Sequence, residues 1–120
     1  MPDRSQLIWL FFHFSGRVDR AAYFLAGVLL YMARFYPVYR VIGAPDQATA
    51  TSWAGVLILV TLASIYPHLA LAAKRFHDFN RPGAFAAFFI VADFFLFLFL
   101  CFAPGNPGPN QYGKQTNAPA

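Results

Sequence analysis

The chain has 120 residues, 58% of them hydrophobic, 19% aromatic and only 12% charged, against roughly 25% charged residues in a soluble domain. Nine Lys and Arg and five acidic residues, all Asp, are too few to wet a surface of this much Phe, Leu and Ala, which points away from a soluble globular enzyme and excludes disorder. The lone Cys101 excludes a disulfide scaffold, and the net charge of +4 sits beside apolar runs, where it suits anionic lipid head groups and not nucleic acid.

Residues 1–6 read as a polar N-terminus, and residues 7–113 as one membrane-embedded domain. Leu7 to Phe14 is apolar but only eight residues long; a crossing helix needs about 20. Trp9 and His13 suit the interface, so this stretch reads as a short interfacial helix. Ala21 to Ile42 is long enough to span. Its far end carries Arg34, Tyr36, Tyr39 and Arg40, the basic and aromatic mixture of a membrane–water boundary. Gly43 to Gln47 reads as a turn.

Ser52 to Ala73 is the second predicted span, with Pro67 inside it and Lys74 ending the apolar run. Lys74 to Gly83 reads as a loop in which Pro82 is placed to open the next helix. Ala84 to Ala103 is the third predicted span, with Asp93 near its middle. Pro and Gly from Pro104 to Gly113 stop any helix, and residues 114–120 read as a disordered tail.

The fold class is therefore all-α: a polytopic membrane protein with about three transmembrane helices, at 21–42, 52–73 and 84–103, preceded by a short interfacial helix. Helices are required because the bilayer offers no water to unpaired backbone groups. Counted for three crossings, Arg4, Arg17, Arg20, Lys74, Arg75 and Arg81 share the N-terminal side. Arg34, Arg40 and Lys114 face them from the other. That asymmetry predicts a cytoplasmic N-terminus and a tail outside; a re-entrant last helix would instead bring the tail inside.

Three motifs stand together: Phe14-Ser15-Gly16-Arg17-Val18-Asp19-Arg20-Ala21-Ala22-Tyr23; Lys74-Arg75-Phe76-His77-Asp78-Phe79-Asn80-Arg81-Pro82-Gly83; and Gly105-Asn106-Pro107-Gly108-Pro109-Asn110-Gln111-Tyr112-Gly113. In this order they closely resemble the small bacterial inner-membrane family known as domain of unknown function 805. Its pattern is F-S-G-R-x-x-R-x-x-Y-W, then R-R-L-H-D-x-G-R-S-G-W-W, then G-x-x-G-x-N-x-Y-G. Phe24, Lys74, Phe76, Asn80, Pro82, Ala84 and Phe85 depart from it. The resemblance implies a fold and a location in the bacterial inner membrane, and no activity, since the family has none established.

Ser15 is positioned to cap the first span, and Arg17 and Arg20, three apart, would share a helical face. With free backbone N–H groups they form a candidate lipid-phosphate site. Ser64, His68, Arg75 and Asp78 fall on one helical stripe. His77 and Asp78 are adjacent and point apart, so they make no catalytic dyad; Asp78 is expected to pair with Arg17, Arg20 or Arg81. Ser15, Arg17, Arg20, Arg75, His77, Asp78 and Arg81 are thus the candidate binding residues for lipid phosphate or a protein partner.

Counted from the inner boundary, Arg34 lies roughly 20 Å and Asp93 roughly 14 Å deep, close enough to predict an intramembrane ion pair. Gly108, Asn110, Tyr112 and Gly113 form a C-terminal turn motif. No cofactor, metal site or catalytic residue is expected.

The function expected is non-enzymatic: the protein contacts the lipid bilayer and binds anionic lipid head groups, or a membrane-protein partner, through a basic cytoplasmic face. The alternative is a subunit of a homo-oligomeric transporter or channel using Arg34 and Asp93.

Overall fold

The structure, a computed structural model, describes residues 4–118. Four α-helices run in chain order: α1, Arg4–Phe12; α2, Arg20–Ile42; α3, Gln47–Asp78; and α4, Phe89–Phe102. A 3-10 segment, Gly83–Phe88, leads into α4. The described residues include no strand, only isolated bridges such as Arg17 with Ala118. Arg20–Ile42, Gln47–Asp78 and Gly83–Phe102 are each long and apolar enough to cross a membrane, as the composition predicts.

The helix ends follow from local chemistry. α2 is capped by Asp19, whose carboxylate accepts from the Ala22 N–H at 2.8 Å. Ser15, the expected cap, lies too far upstream: Gly16, Arg17 and Val18 are not helical. For the same reason Arg17 and Arg20 do not share a face. Asp46 caps α3 through the Thr49 N–H at 2.7 Å. α3 runs on through Lys74 and Asp78, which the sequence assigns to a loop, and stops at Asn80. Asn80 adopts φ 63°, a left-handed conformation that Asn tolerates, and lets the Arg81 N–H return to Phe76 O at 2.8 Å.

α2 and α3 form an antiparallel hairpin. At 1.5 Å per residue they are about 34 and 48 Å long, against about 30 Å of hydrocarbon. The last apolar stretch takes a different path. Phe85 packs on Phe76, Phe89 stacks on His68, Asp93 meets Arg34, Phe97 packs on Tyr23, and Arg75 reaches Leu100 O. The chain climbs along α3, breaks at Ala92 (φ −131°, ψ 48°), and descends along α2. Each arm is roughly 15 Å deep, about half a bilayer core. Both its ends lie beside the C-terminal end of α3, so the stretch is a re-entrant hairpin.

The tail therefore leaves at the N-terminal end of the bundle. This corrects the tail-outside expectation and realises the re-entrant alternative. The core lies in the half of α2 and α3 that this hairpin covers, around Tyr23, Ala26, Leu71, Ala73, Phe97 and Leu100. Beyond its apex Met32, Phe35, Tyr39, Ile58, Leu59 and Leu62 stay exposed, an apolar surface suited to lipid. In the tail, the Asn117 N–H bonds Arg17 O at 2.7 Å and its amide donates to Asp19 at 2.9 Å. Met1 to Asp3, the start of the expected polar N-terminus, and the last two tail residues lie outside the described residues.

Candidate functional site

Two polar constellations interrupt this apolar fold. The larger sits where the three motifs converge. Lys74, fully buried, extends its ammonium to the carbonyls of Trp9, Leu10 and His13 at 2.6, 2.5 and 2.6 Å. Of these, Leu10 O is one that the end of α1 leaves open, and Trp9 O also accepts the His13 N–H at 3.2 Å. The ammonium also lies 4.8 Å from the centre of the Trp9 ring. Arg75, the next residue, does the same for α4: its Nε donates to Leu100 O at 2.8 Å and Nη2 donates to Ala103 O. Two adjacent cations thus cap the C-termini of two different helices, the polarity that helix ends favour.

Arg17, 1% exposed, closes the tail. Its guanidinium donates to Gly108 O at 2.7 Å, Gly113 O at 3.2 Å and Asn106 O at 2.8 Å. Asp78 stands between the two guanidiniums, with Oδ1 3.0 Å from Arg17 Nη2 and Oδ2 2.7 Å from Arg75 Nη1. Gly105 is forced by this crowding, because a Cβ there would fall on the Asp78 carboxylate. His77 lies 3.0 Å through Nδ1 from Gly16 O and stacks face to face on Tyr112, with centroids 4.1 Å apart and planes 2° apart. Asn110 donates to His77 O at 2.9 Å and accepts the Tyr112 N–H at 2.9 Å.

The structure thus gathers Arg17, Arg75, His77, Asp78, Gly108, Asn110, Tyr112 and Gly113 into one clamp. Ser15, Arg20 and Arg81 lie outside it, exposed at its rim. Ser15 takes part through its backbone, whose carbonyl accepts from Trp9 Nε1 at 2.8 Å. Sequence reasoning missed the capping by Lys74, the tie of Asn117 to Asp19, and the place of Trp9. Only the adjacent Lys-Arg pair at the end of a span signalled any of this. Chemically the clamp is closed: the Asp78 oxygens, the Arg17 fork and the Arg75 fork all meet protein partners. Its work is to satisfy backbone carbonyls where little water reaches.

The second constellation is at the hairpin apex. Arg34 Nη1 and Asp93 Oδ2 are 3.0 Å apart, and Tyr31 donates its hydroxyl to Asp93 Oδ1 at 2.5 Å. The Arg34 guanidinium also lies 4.6 Å from the Tyr31 ring centre. Asp93 remains 42% exposed in its side chain, so the pair is only partly enclosed. Among the described residues no group of three or more His, Cys, Asp or Glu could hold a metal ion.

The family described as protein of unknown function (DUF805) matches residues 11–114, which takes in all three clamp motifs and the apex pair. The chain belongs to the DUF805 family. It is also 32% identical over 104 residues to the inner membrane protein YhaI of Escherichia coli K12, covering 84% of this chain and 83% of that protein. The same figures hold for YhaI of Escherichia coli O157:H7. No solved structure matches the chain. For a DUF805 chain the motif charges thus have a structural reading: they anchor α1, the hairpin and the tail to the end of α3.

Proposed function

We propose that this DUF805 protein is a non-enzymatic, multi-pass protein of the bacterial cytoplasmic membrane, with its N-terminus cytoplasmic, that gathers anionic lipid head groups at its clamp end. The supporting observation is the division of labour among its cations. Arg17, Lys74 and Arg75 are buried and occupied by carbonyls and Asp78, whereas Arg20, Arg81 and Lys114 are exposed around them. Of nine Lys and Arg, Arg34 and Arg40 alone lie away from that end once the tail is placed beside Arg17, leaving seven. That excess favours a cytoplasmic clamp end and an attraction for anionic lipid of about 1 kcal/mol per exposed cation.

Replacing Arg20, Arg81 and Lys114 together by Gln should lower the affinity for phosphatidylglycerol about a hundredfold. The check is mass spectrometry of lipids retained in mixed phosphatidylglycerol–phosphatidylcholine nanodiscs, repeated at high salt. Unchanged enrichment, or a stoichiometric protein companion that displaces the lipid, overturns the reading.

The half-exposed Asp93 beside Arg34 favours a second reading, a subunit of a homo-oligomeric transporter. Proteoliposome flux that Asp93→Asn abolishes would support it, and parental flux in that variant would dismiss it.

A further inference from the structure

Beside the clamp, a groove of about 400 Å³ runs between the first turns of α2 and the last turns of α4. Phe97, 5% exposed, forms its floor, with Cys101 half-buried next to it. Its walls are Ala21 and Phe24 on one side and Leu98 and Phe102 on the other. All four are exposed, so the groove is open along its length to the bilayer. Arg20 to Phe24 and Phe97 to Phe102 give it roughly 6–8 Å of depth at 1.5 Å per residue. That is enough to seat the upper part of an acyl chain, and the rest of the chain runs on in the membrane.

Arg20 is the charged residue in its lining, and it stands at the clamp end of the groove. It is exposed, and its guanidinium makes no hydrogen bond or ion pair among the described residues. Arg17 and Arg75, by contrast, are buried and engaged. The acid next to it, Asp19, has both oxygens occupied, one by the Ala22 N–H at 2.8 Å and the other by the Asn117 amide at 2.9 Å. The mouth of an apolar groove is thus positive and open, and the N-terminal dipole of α2 adds the same sign. A guanidinium fork matches phosphate oxygens. A choline head would bring its own cation to that mouth, whereas an anionic head brings none.

We infer that this groove holds one anionic phospholipid per chain, its phosphate on Arg20 and one acyl chain between Phe24 and Leu98, an assignment that rests on the head-group reading above and gives it one defined place. The diffuse attraction of the exposed cations is screened by salt, and a lipid seated in the groove is screened less.

The probe is 1-palmitoyl-2-oleoyl-phosphatidylglycerol, titrated into the full chain in phosphatidylcholine nanodiscs and read by native mass spectrometry. One lipid per chain should bind saturably and persist at high salt. Arg20→Gln should weaken it about tenfold or more, the worth of a hydrogen bond to a charged group. Ala21→Trp, which fills the groove and keeps every cation, should remove the saturable lipid and leave the bulk enrichment of phosphatidylglycerol in the disc at the parental level. Leu98→Trp fills the groove from the opposite wall and serves if Ala21→Trp does not fold. Bulk enrichment without a saturable lipid, a saturable lipid unchanged in the filled variants, or phosphatidylcholine held as tightly overturns the groove assignment alone. Absence of bulk enrichment in the parental chain overturns the head-group reading with it.

Discussion

An ammonium group has three hydrogens, and Lys74 directs them at three carbonyls of α1 and its exit. Removing it strands the Leu10 and His13 oxygens, each at about 1–3 kcal/mol, while Trp9 O keeps the His13 N–H. Lys74→Met should therefore destabilise the protein by about 3 kcal/mol or more in detergent unfolding monitored by Trp fluorescence. Arg20→Gln, at an exposed site, should stay within about 0.5 kcal/mol. Asp78→Asn keeps the shape and leaves two buried guanidiniums without their counter-charge, so a loss of about 3–5 kcal/mol is expected by the same assay.

At the far turn, the Thr49 N–H holds the Asp46 carboxyl below the usual range by favouring its charged form. A depressed folded pKa stabilises above the unfolded value near 3.9, and that contribution disappears as pH falls through the folded value. The Thr49 amide shift should follow this acid titration, and Asp46→Asn should abolish it.

At the scale of elements, the sequence and the structure part company in one instructive place. α2 and the body of α3 are legible because 20-residue apolar runs have few alternatives. The stretch 84–103 satisfies the same test of length and hydropathy whether it crosses the bilayer or turns back. The turn is set by Ala92, which no propensity marks, and by what the two arms meet: Gly27 under Phe97, and the Arg75 fork at Leu100 and Ala103. Asp93 was the legible hint, since an acid at mid-depth needs a partner, and Arg34 stood at the matching depth.

The clamp was legible as a set of residues but not as a job. Which carbonyls Arg17 and Lys74 would reach depends on contacts more than 60 residues apart. The descending arm depends on close approach at Gly27, where a Cβ would run into the Phe97 ring. Gly27→Leu should therefore dislodge the arm and expose Cys101, half-buried beside it, to maleimide in detergent. Ala33→Leu, at an exposed position on the same helix, should leave Cys101 labelling at the parental level.

At the scale of the whole molecule, two long helices run its length and everything else gathers at one end. α1, both hairpin ends and the tail are tied to the last turns of α3 by Lys74, Arg75, His77 and Asp78. This arrangement places seven of the nine basic side chains on one side and leaves the other half of the α2–α3 pair bare of protein. The large side chains of that bare half are apolar and aromatic outside its turn, which is what lipid requires.

The most direct measurement is sidedness. In a Cys101→Ala background, single cysteines at Arg81, Gln115 and Ala48, all exposed, are labelled with a membrane-impermeant maleimide in intact cells and in inverted vesicles. The cysteines at Arg81 and Gln115 should label from the same side, the cytoplasmic one, and the cysteine at Ala48 from the other. Labelling at Gln115 from the same side as Ala48 would mean that the last apolar stretch crosses the bilayer, and would contradict the re-entrant hairpin and the clamp that closes it.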